Sequence, residues 1–258
     1  MLGISSSTYE TGLGKGDIEQ ASGVQPYIWY PFDRVYKDGA FPPSLTEFPS
    51  TASGGNFSSI GQAVLPITSN TGTPKTIIGS MHRQAISFDG TDDVIKQATV
   101  ISSTNKAGTM LLVFKKSDGT NDIVVSEDDT QASGSFYIKL TGTDNANVVI
   151  NMGANHDVAK TLPLTNNFTA GQDAMLLIRR NTSGHVFVYS QNGLEISNTG
   201  NTDILAMPKF VFKHIGGAAT IDFAGSIGEF AFWDQELSDA ACLKVIDSIK
   251  EKWNLSPL

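Results

Sequence analysis

The chain holds one cysteine, Cys242, only four histidines, and no long apolar run. A single cysteine rules out an internal disulfide and suits folding in a reducing compartment. Nothing approaches the roughly eighteen apolar residues that a membrane-spanning helix needs. The opening stretch MLGISSSTYETGLGKGD lacks the apolar core of a secretion signal. The sequons at Asn56, Asn167, Asn181 and Asn254 therefore carry no expectation of glycosylation. Basic residues are also scarce: 18 Lys and Arg against 26 Asp and Glu give a net charge of -8. A surface of that balance cannot release counterions from a polyanion, which excludes nucleic acid as the expected partner. It equally disfavours docking on anionic lipid, and reads as solubilising charge.

What is present is ordinary globular material, 258 residues at 40% hydrophobic, enough for a sizeable core. Residues 1–23 read as an N-terminal arm, rich in Ser, Thr and Gly and without apolar period. Residues 24–258 read as one domain. It opens with the aromatic segment PYIWYPF (26–32), followed over 37–80 by long Gly-, Pro- and Ser-rich loops with room for two short strands. Loops of this length are functional or interface-forming more often than not.

From residue 84 the punctuation is regular, with apolar runs alternating with Gly, Asn and Asp clusters as in a sandwich or barrel. Strands are expected near 84–89, 93–98, 109–115, 122–126, 135–141, 147–152, 174–180, 185–190, 194–197, 210–215 and 226–233. Asn181–Gly184 (NTSG) and Asn192-Gly193 mark hairpin turns, the second by supplying the positive φ that tight turns require. TDNA (143–146) is expected to join FYIKL to VVINM. The segment LSDAACLKVIDSIKEKW reads as one closing helix, with Ser238 as N-cap and Asp239 at the positive dipole end. Leu237 and Cys242 can form a hydrophobic staple, and Cys242, Val245, Ile246, Ile249 and Trp253 share one face. Cys242 is thus a small buried hydrophobe rather than a nucleophile.

Three segments in order carry a resemblance: ISFDGTDDVI (86–95), LLIRRNTSGHVFVYSQNGLEIS (176–197), and the run HIGG…FAGSIGEFAFWDQELS…EKWNL (214–255). The chain resembles the concanavalin A-like lectin/glucanase superfamily over residues 26–255, specifically laminin-G-like domains of the kind found in bacteriophage virion proteins. The resemblance implies an all-β fold, a two-sheet antiparallel jelly-roll sandwich with the arm before it and one short helix after it.

Within that frame, Asp89-Gly90 is a turn whose aspartates accept backbone N–H groups. Calcium on Asp89, Asp92 and Asp93 is the sharper alternative that the resemblance invites, although FDGTDDVIKQ lacks the ligand spacing of an EF-hand. Hydrolysis of glycosides needs two carboxylates facing one cleft. Glucanases of the superfamily carry E-x-D-x-x-E, whereas this chain has Glu229-Phe-Ala-Phe-Trp-Asp234, with Ala231 at the middle acid. On a regular strand Glu229 and Asp234 face opposite sides. Glu127-Asp128-Asp129 reads as solvated loop charge. No G-x-S-x-G elbow nominates a serine, and His82, His156, His185 and His214 have no zinc-type spacing. TGLGKGD (11–17) fails as a P-loop, with Gly16 where the magnesium-binding hydroxyl belongs. No catalytic residue is assigned, and the chain is expected not to be an enzyme.

Exposed aromatics can stack on sugar rings, which makes Trp29, Tyr30 and Tyr36 the carbohydrate candidates, with Phe41 and Phe48 nearby; the opposing reading is that they seal the core. The expected function is a structural protein of a virus particle, a capsid decoration or tail and fibre component. The arm would hold it to other virion proteins and to copies of itself, as a dimer or trimer assembled in the host cytoplasm. The alternative is a lectin-like module that recognises a host-surface glycan.

Overall fold

The computed structural model describes residues 18–32, 62, 67–71, 75–77, 81, 83, 85–117, 122–127, 136–141, 147–152, 160–166, 168–198, 209–218 and 221–258. Two antiparallel sheets and a helical layer account for nearly all of them. The first sheet runs, edge to edge, β13 (Gly193–Asn198), β12 (Val186–Ser190), β11 (Asp173–Arg180), β6 (Gly108–Lys116), β17 (Ala224–Trp233), β4 (Ala85–Asp89) and β3 (Lys75–Ile77). The short β1 (Ile28–Pro31) extends it by pairing with residues 229–232 of β17, beyond the point where β4 leaves off. The second sheet runs β10 (Lys160–Pro163), β9 (Asn147–Met152), β8 (Phe136–Thr141), β7 (Asp122–Ser126), β14 (Val211–Ile215), β5 (Val94–Ser102) and β2 (Ile67–Thr71). A two-residue ribbon, β15 (Gly217–Ala218) with β16 (Ile221–Asp222), lies beside β7.

Alternation along the strands builds two cores. The inner faces meet through Phe88, Phe114, Phe136, Phe212, Phe230 and their neighbours, packed edge-to-face or tilted at 5.2–6.4 Å between centroids. Such ring pairs add favourable quadrupole geometry to the burial itself. The outer face of the first sheet is also apolar: Leu111, Val113, Met175, Leu177, Ala231 and Trp233 point away from the sandwich. Strands β6, β11 and β17 are therefore buried on both faces, which is why their sequences are nearly continuous apolar runs.

The second core is closed by α2 (Asp239–Trp253). Its apolar stripe Cys242, Val245, Ile246, Ile249 and Trp253 is buried on the sheet as its helical spacing requires. Ser238 caps it by accepting from the Ala241 N–H at 3.2 Å, and Asn254 closes it in the left-handed conformation with φ of 51°. Leu237 and Cys242 are both buried in this cluster, consistent with the staple.

The expected strands are present, and the short pair anticipated inside 37–80 corresponds to β2 and β3. Several elements differ, among them the β15–β16 ribbon, which no expected strand covered. Residues 18–22 do not belong to an arm: Ile18–Ser22 form helix α1, with Ile18 fully buried in the second core and the helix packed on α2. One isoleucine at the end of a polar stretch shows no period, so the docking is visible only once the sheet offers a partner. The rest of the expected arm, residues 1–17, lies outside the described residues. Strand β10 escaped notice because KTLP is short and ends in Pro163, a residue that suits an edge strand. The β12–β13 hairpin pairs Ser190 with Gly193, so Gln191 and Asn192 make the turn, and Gly193 alone carries the positive φ, 108°. The NTSG turn forms as expected, with the Gly184 N–H donating to the Asn181 carbonyl at 2.9 Å; TDNA lies outside the described residues.

Candidate functional site

Those expected site residues that the structure describes each have a definite place. Trp29 and Tyr30, expected as exposed carbohydrate candidates, are instead 4% and 1% exposed and cannot present a ring face to a sugar. As neighbours on β1 they face opposite ways, Tyr30 stacking on Phe32 in the inner core and Trp29 entering the helical core. Tyr36, Phe41 and Phe48 lie outside the described residues.

The Trp29 indole N–H donates to Glu229 Oε1 at 2.6 Å. Glu229 is fully buried, and its second oxygen accepts from Lys252 Nζ at 2.6 Å and from Trp253 Nε1 at 2.9 Å. Three donors thus consume the one carboxylate that the glucanase comparison put forward. Asp234, its nominal partner, lies beyond the end of β17 and accepts from the Thr104 N–H at 2.6 Å. Neither group faces a cleft, so the geometry of a hydrolytic acid pair is missing here. Glu127 likewise is no free charge: it accepts from the Phe136 N–H at 3.0 Å, whereas Asp128 and Asp129 lie outside the described residues.

Asp89, Asp92 and Asp93 do converge, with one oxygen of each lying within 4.8 Å of the others. Their hydrogen bonds are those of a turn. Asp89 Oδ1 accepts from the N–H groups of Thr91 and Asp92, and the buried Asp93 returns through Oδ2 to the Asp89 N–H at 2.8 Å. Asp89 and Asp92 are exposed.

Cys242 is fully buried, and burial pushes its thiol up to about 12. Burial and the raised pKa both disfavour the reactive thiolate, as its helical position implied. His185 sits in the NTSG turn, where Asn181 Oδ1 accepts its backbone N–H at 2.9 Å. His214 is 3% exposed within β14; His82 and His156 lie outside the described residues.

A cleft that no sequence motif announced lies on the first sheet. Strand register aligns Asp173, Lys115, Ser226, Ser87 and Lys75 across β11, β6, β17, β4 and β3. Beside this polar row is an open cleft of about 210 Å³, walled by Ser87, Lys115, Lys116, Ser117 and Ser226. Its floor includes the backbone of Gly171 and Gly225. Gly225 is required, since a Cβ there would stand 2.1 Å from the Lys115 carbonyl oxygen. A larger residue would push β17 from β6 and fill the cleft from below. Lys116 is 1% exposed, whereas Lys115 is half-buried and meets Asp173 at 3.8 Å, longer than a hydrogen bond. On the face of Lys115 the cleft offers the Ser87 and Ser226 hydroxyls, which donate and accept, and one ammonium; Lys116, the next residue of β6, projects from the opposite face. The trace in the sequence is polar residues where apolar ones were due: Ser226 inside AGSIGEFAFW, and the two lysines that end β6, followed by Ser117.

No family model and no curated protein matches this chain. Solved structures do. Domain 4 of AbnA, a GH43 extracellular arabinanase from Geobacillus stearothermophilus, solved in complex with arabinotriose, is similar at 16% identity, with a TM-score of 0.57 over 86% of this chain and 98% of that one. The binding domain of botulinum neurotoxin serotype D is similar at 12% identity and the same TM-score, 0.57, over 86% of this chain and 50% of that chain. Botulinum neurotoxin type C, described as entering cells through interaction with two ganglioside molecules, gives 0.52 at 12% identity over 80% of this chain and 51% of that one. At such identities the likeness establishes the fold. The chain is a jelly-roll sandwich with one short C-terminal helix beside its two antiparallel sheets. Among the described residues no helix is long and apolar enough to cross a membrane.

Proposed function

We propose that the chain is a non-catalytic, lectin-like carbohydrate-binding module whose ligand occupies the open cleft on the first sheet. One observation carries the reading: Ser87, Ser117, Ser226 and Lys115 line an open cleft on the fold's first sheet. Sugars are recognised by such convergent hydroxyl and ammonium groups, each able to bond a ring or side hydroxyl. Support also comes from the arabinanase domain, whose structure holds arabinotriose, and from the toxin described as engaging gangliosides. The burial of Glu229 under three donors speaks for binding without turnover.

Membership of a virus particle, expected from the sequence, draws on an arm and on long loops. Residues 1–17 and most of 33–66 lie outside the described residues, and residues 18–22 belong to the domain itself. Nothing described favours that reading over the first, and the same holds for self-association.

The test is a panel of immobilised neutral and acidic oligosaccharides probed with the intact chain, followed by titration of each hit. The expected result is saturable binding to at least one saccharide, weakened by Ser87→Ala, with no shortened product released. An intact protein that binds no saccharide on the panel overturns the proposal.

A further inference from the structure

We infer that the ligand of this cleft is an uncharged saccharide, held by two neighbouring hydroxyls that bridge Lys115 and Asp173. This rests on the carbohydrate-binding reading of the same cleft. The two side chains meet across β6 and β11 with Nζ 3.8 Å from Oδ1, and they are 34% and 18% exposed. They form an ion pair open to solvent, with both signs present and no net charge. Ser226 and Ser87 continue the row on the same face, since Cα partners on neighbouring antiparallel strands project together. Asp173 follows two residues after Gly171 of the cleft wall.

The two ends of this pair are complementary. An ammonium only donates and an ionised carboxylate only accepts, whereas an alcohol does both. One sugar hydroxyl can therefore accept from Lys115 Nζ while its neighbour donates to Asp173. Both are charge-assisted bonds, stronger than neutral pairing. The 3.8 Å separation exceeds hydrogen-bond length, so the pair is not closed against a third group. Lys115 has three donors and a carboxylate about four acceptor sites, more than one ion pair uses.

A charged ligand fares worse at this row. An anion drawn to Lys115 also meets Asp173, and a cation drawn to Asp173 meets Lys115. Like charges brought together penalise the wrong partner, and an uncharged polyol meets neither penalty. The backbone nearby is already spent. The Gly171 N–H donates to the Lys116 carbonyl at 2.7 Å, and the Ser117 N–H to that of Ala224 at 2.9 Å. Selection therefore falls to the side chains of the row. The volume, about 210 Å³, is below that of a drug-sized pocket and suits one sugar unit.

The test is calorimetric titration of the intact chain with neutral oligosaccharides. Each is set beside deoxy twins lacking one hydroxyl of a vicinal pair, and beside a uronic-acid twin. The expected result is a neutral member bound at least about tenfold tighter than its uronic twin and than at least one deoxy twin. Asp173→Asn should weaken the neutral member by about tenfold and strengthen the uronic twin, a reversal that a merely structural role would not produce. Lys115→Ala should also weaken the neutral member; it changes a half-buried strand-end residue and keeps the test readable should Asp173→Asn unfold, which thermal midpoints check. A uronic twin bound more tightly than the neutral member overturns the inference and leaves the saccharide reading standing. A neutral member whose affinity neither folded variant alters does the same. Absence of binding to every saccharide overturns both.

Discussion

Glu229 and Lys252 form an ion pair of 2.6 Å with both side chains wholly out of solvent. The pair joins β17 to the last turn of α2, and the Trp29 and Trp253 indoles complete the carboxylate's hydrogen bonds. Lys252 Nζ also lies 5.9 Å from the Trp29 ring and 5.4 Å from the Trp253 ring, within reach of their π faces. A strand, the first segment of the domain and the closing helix are thus held at one point. Burying two charges is costly, and the pair persists because every oxygen lone pair in use has a donor.

Removing one partner should therefore be far worse than removing both. Glu229→Gln leaves the Lys252 ammonium buried without its counter-charge, at a cost of about 3–5 kcal/mol. The double change Glu229→Gln with Lys252→Met should recover a substantial part. Urea midpoints of the two variants decide it, and equal destabilisation would refute the coupling. A hydrolase using Glu229 would instead lose turnover with its stability intact.

Gly228 lies under the Trp253 ring, where an added Cβ would come within 2.3 Å of the indole. Gly228→Ala must lift the end of α2 from the sheet. Overpacking of this kind costs about 1–3 kcal/mol. Trp253 emission should shift to the red in the same variant, and an unchanged thermal midpoint would show that the helix end yields freely.

Cys242 should resist thiol reagents in the native state and react once the chain unfolds. Its thiol is raised from 9.0 to about 12 in the fold, chiefly by burial. The folded protein therefore holds a proton that the unfolded chain releases. The stability tied to this proton is complete below about pH 9 and is lost as pH rises through the window from 9 to 12. Denaturation midpoints of the parent and Cys242→Ala across that range should converge as pH rises.

The aspartate turn gives a last contrast. Asp93→Ala removes the acceptor of the Asp89 N–H at a buried position and should destabilise by about 1–3 kcal/mol. If the three carboxylates serve the turn, millimolar calcium leaves the thermal midpoint of the parent in place. A rise of several degrees, abolished in Asp92→Asn, would assign the turn to calcium instead.

Much of the fold was legible because its causes are local. Apolar runs bounded by Gly, Asn and Asp specify strands, and the stripe from Cys242 to Trp253 with Ser238 before it specifies a capped helix. The sites were not legible for the opposite reason. Trp29 and Tyr30 lie in the unbroken aromatic run PYIWYPF, which leaves open whether their rings are presented or buried, and α2 over the first sheet covers the Trp29 face of β1. Lys115, Ser226 and Ser87 are far apart in the chain and become one row only through strand pairing.

The sequence by itself determined the class of the fold, the ends of its closing helix and the inertness of its cysteine, since periodicity, capping and burial of a stripe act within a few residues. The tertiary structure alone decided that Glu229 is a structural hub, that the helix at 18–22 packs on α2, and that Lys115, Ser226 and Ser87 line one cleft. Each depends on register between segments more than a hundred residues apart, and cross-strand pairing leaves no periodic mark on any one of them.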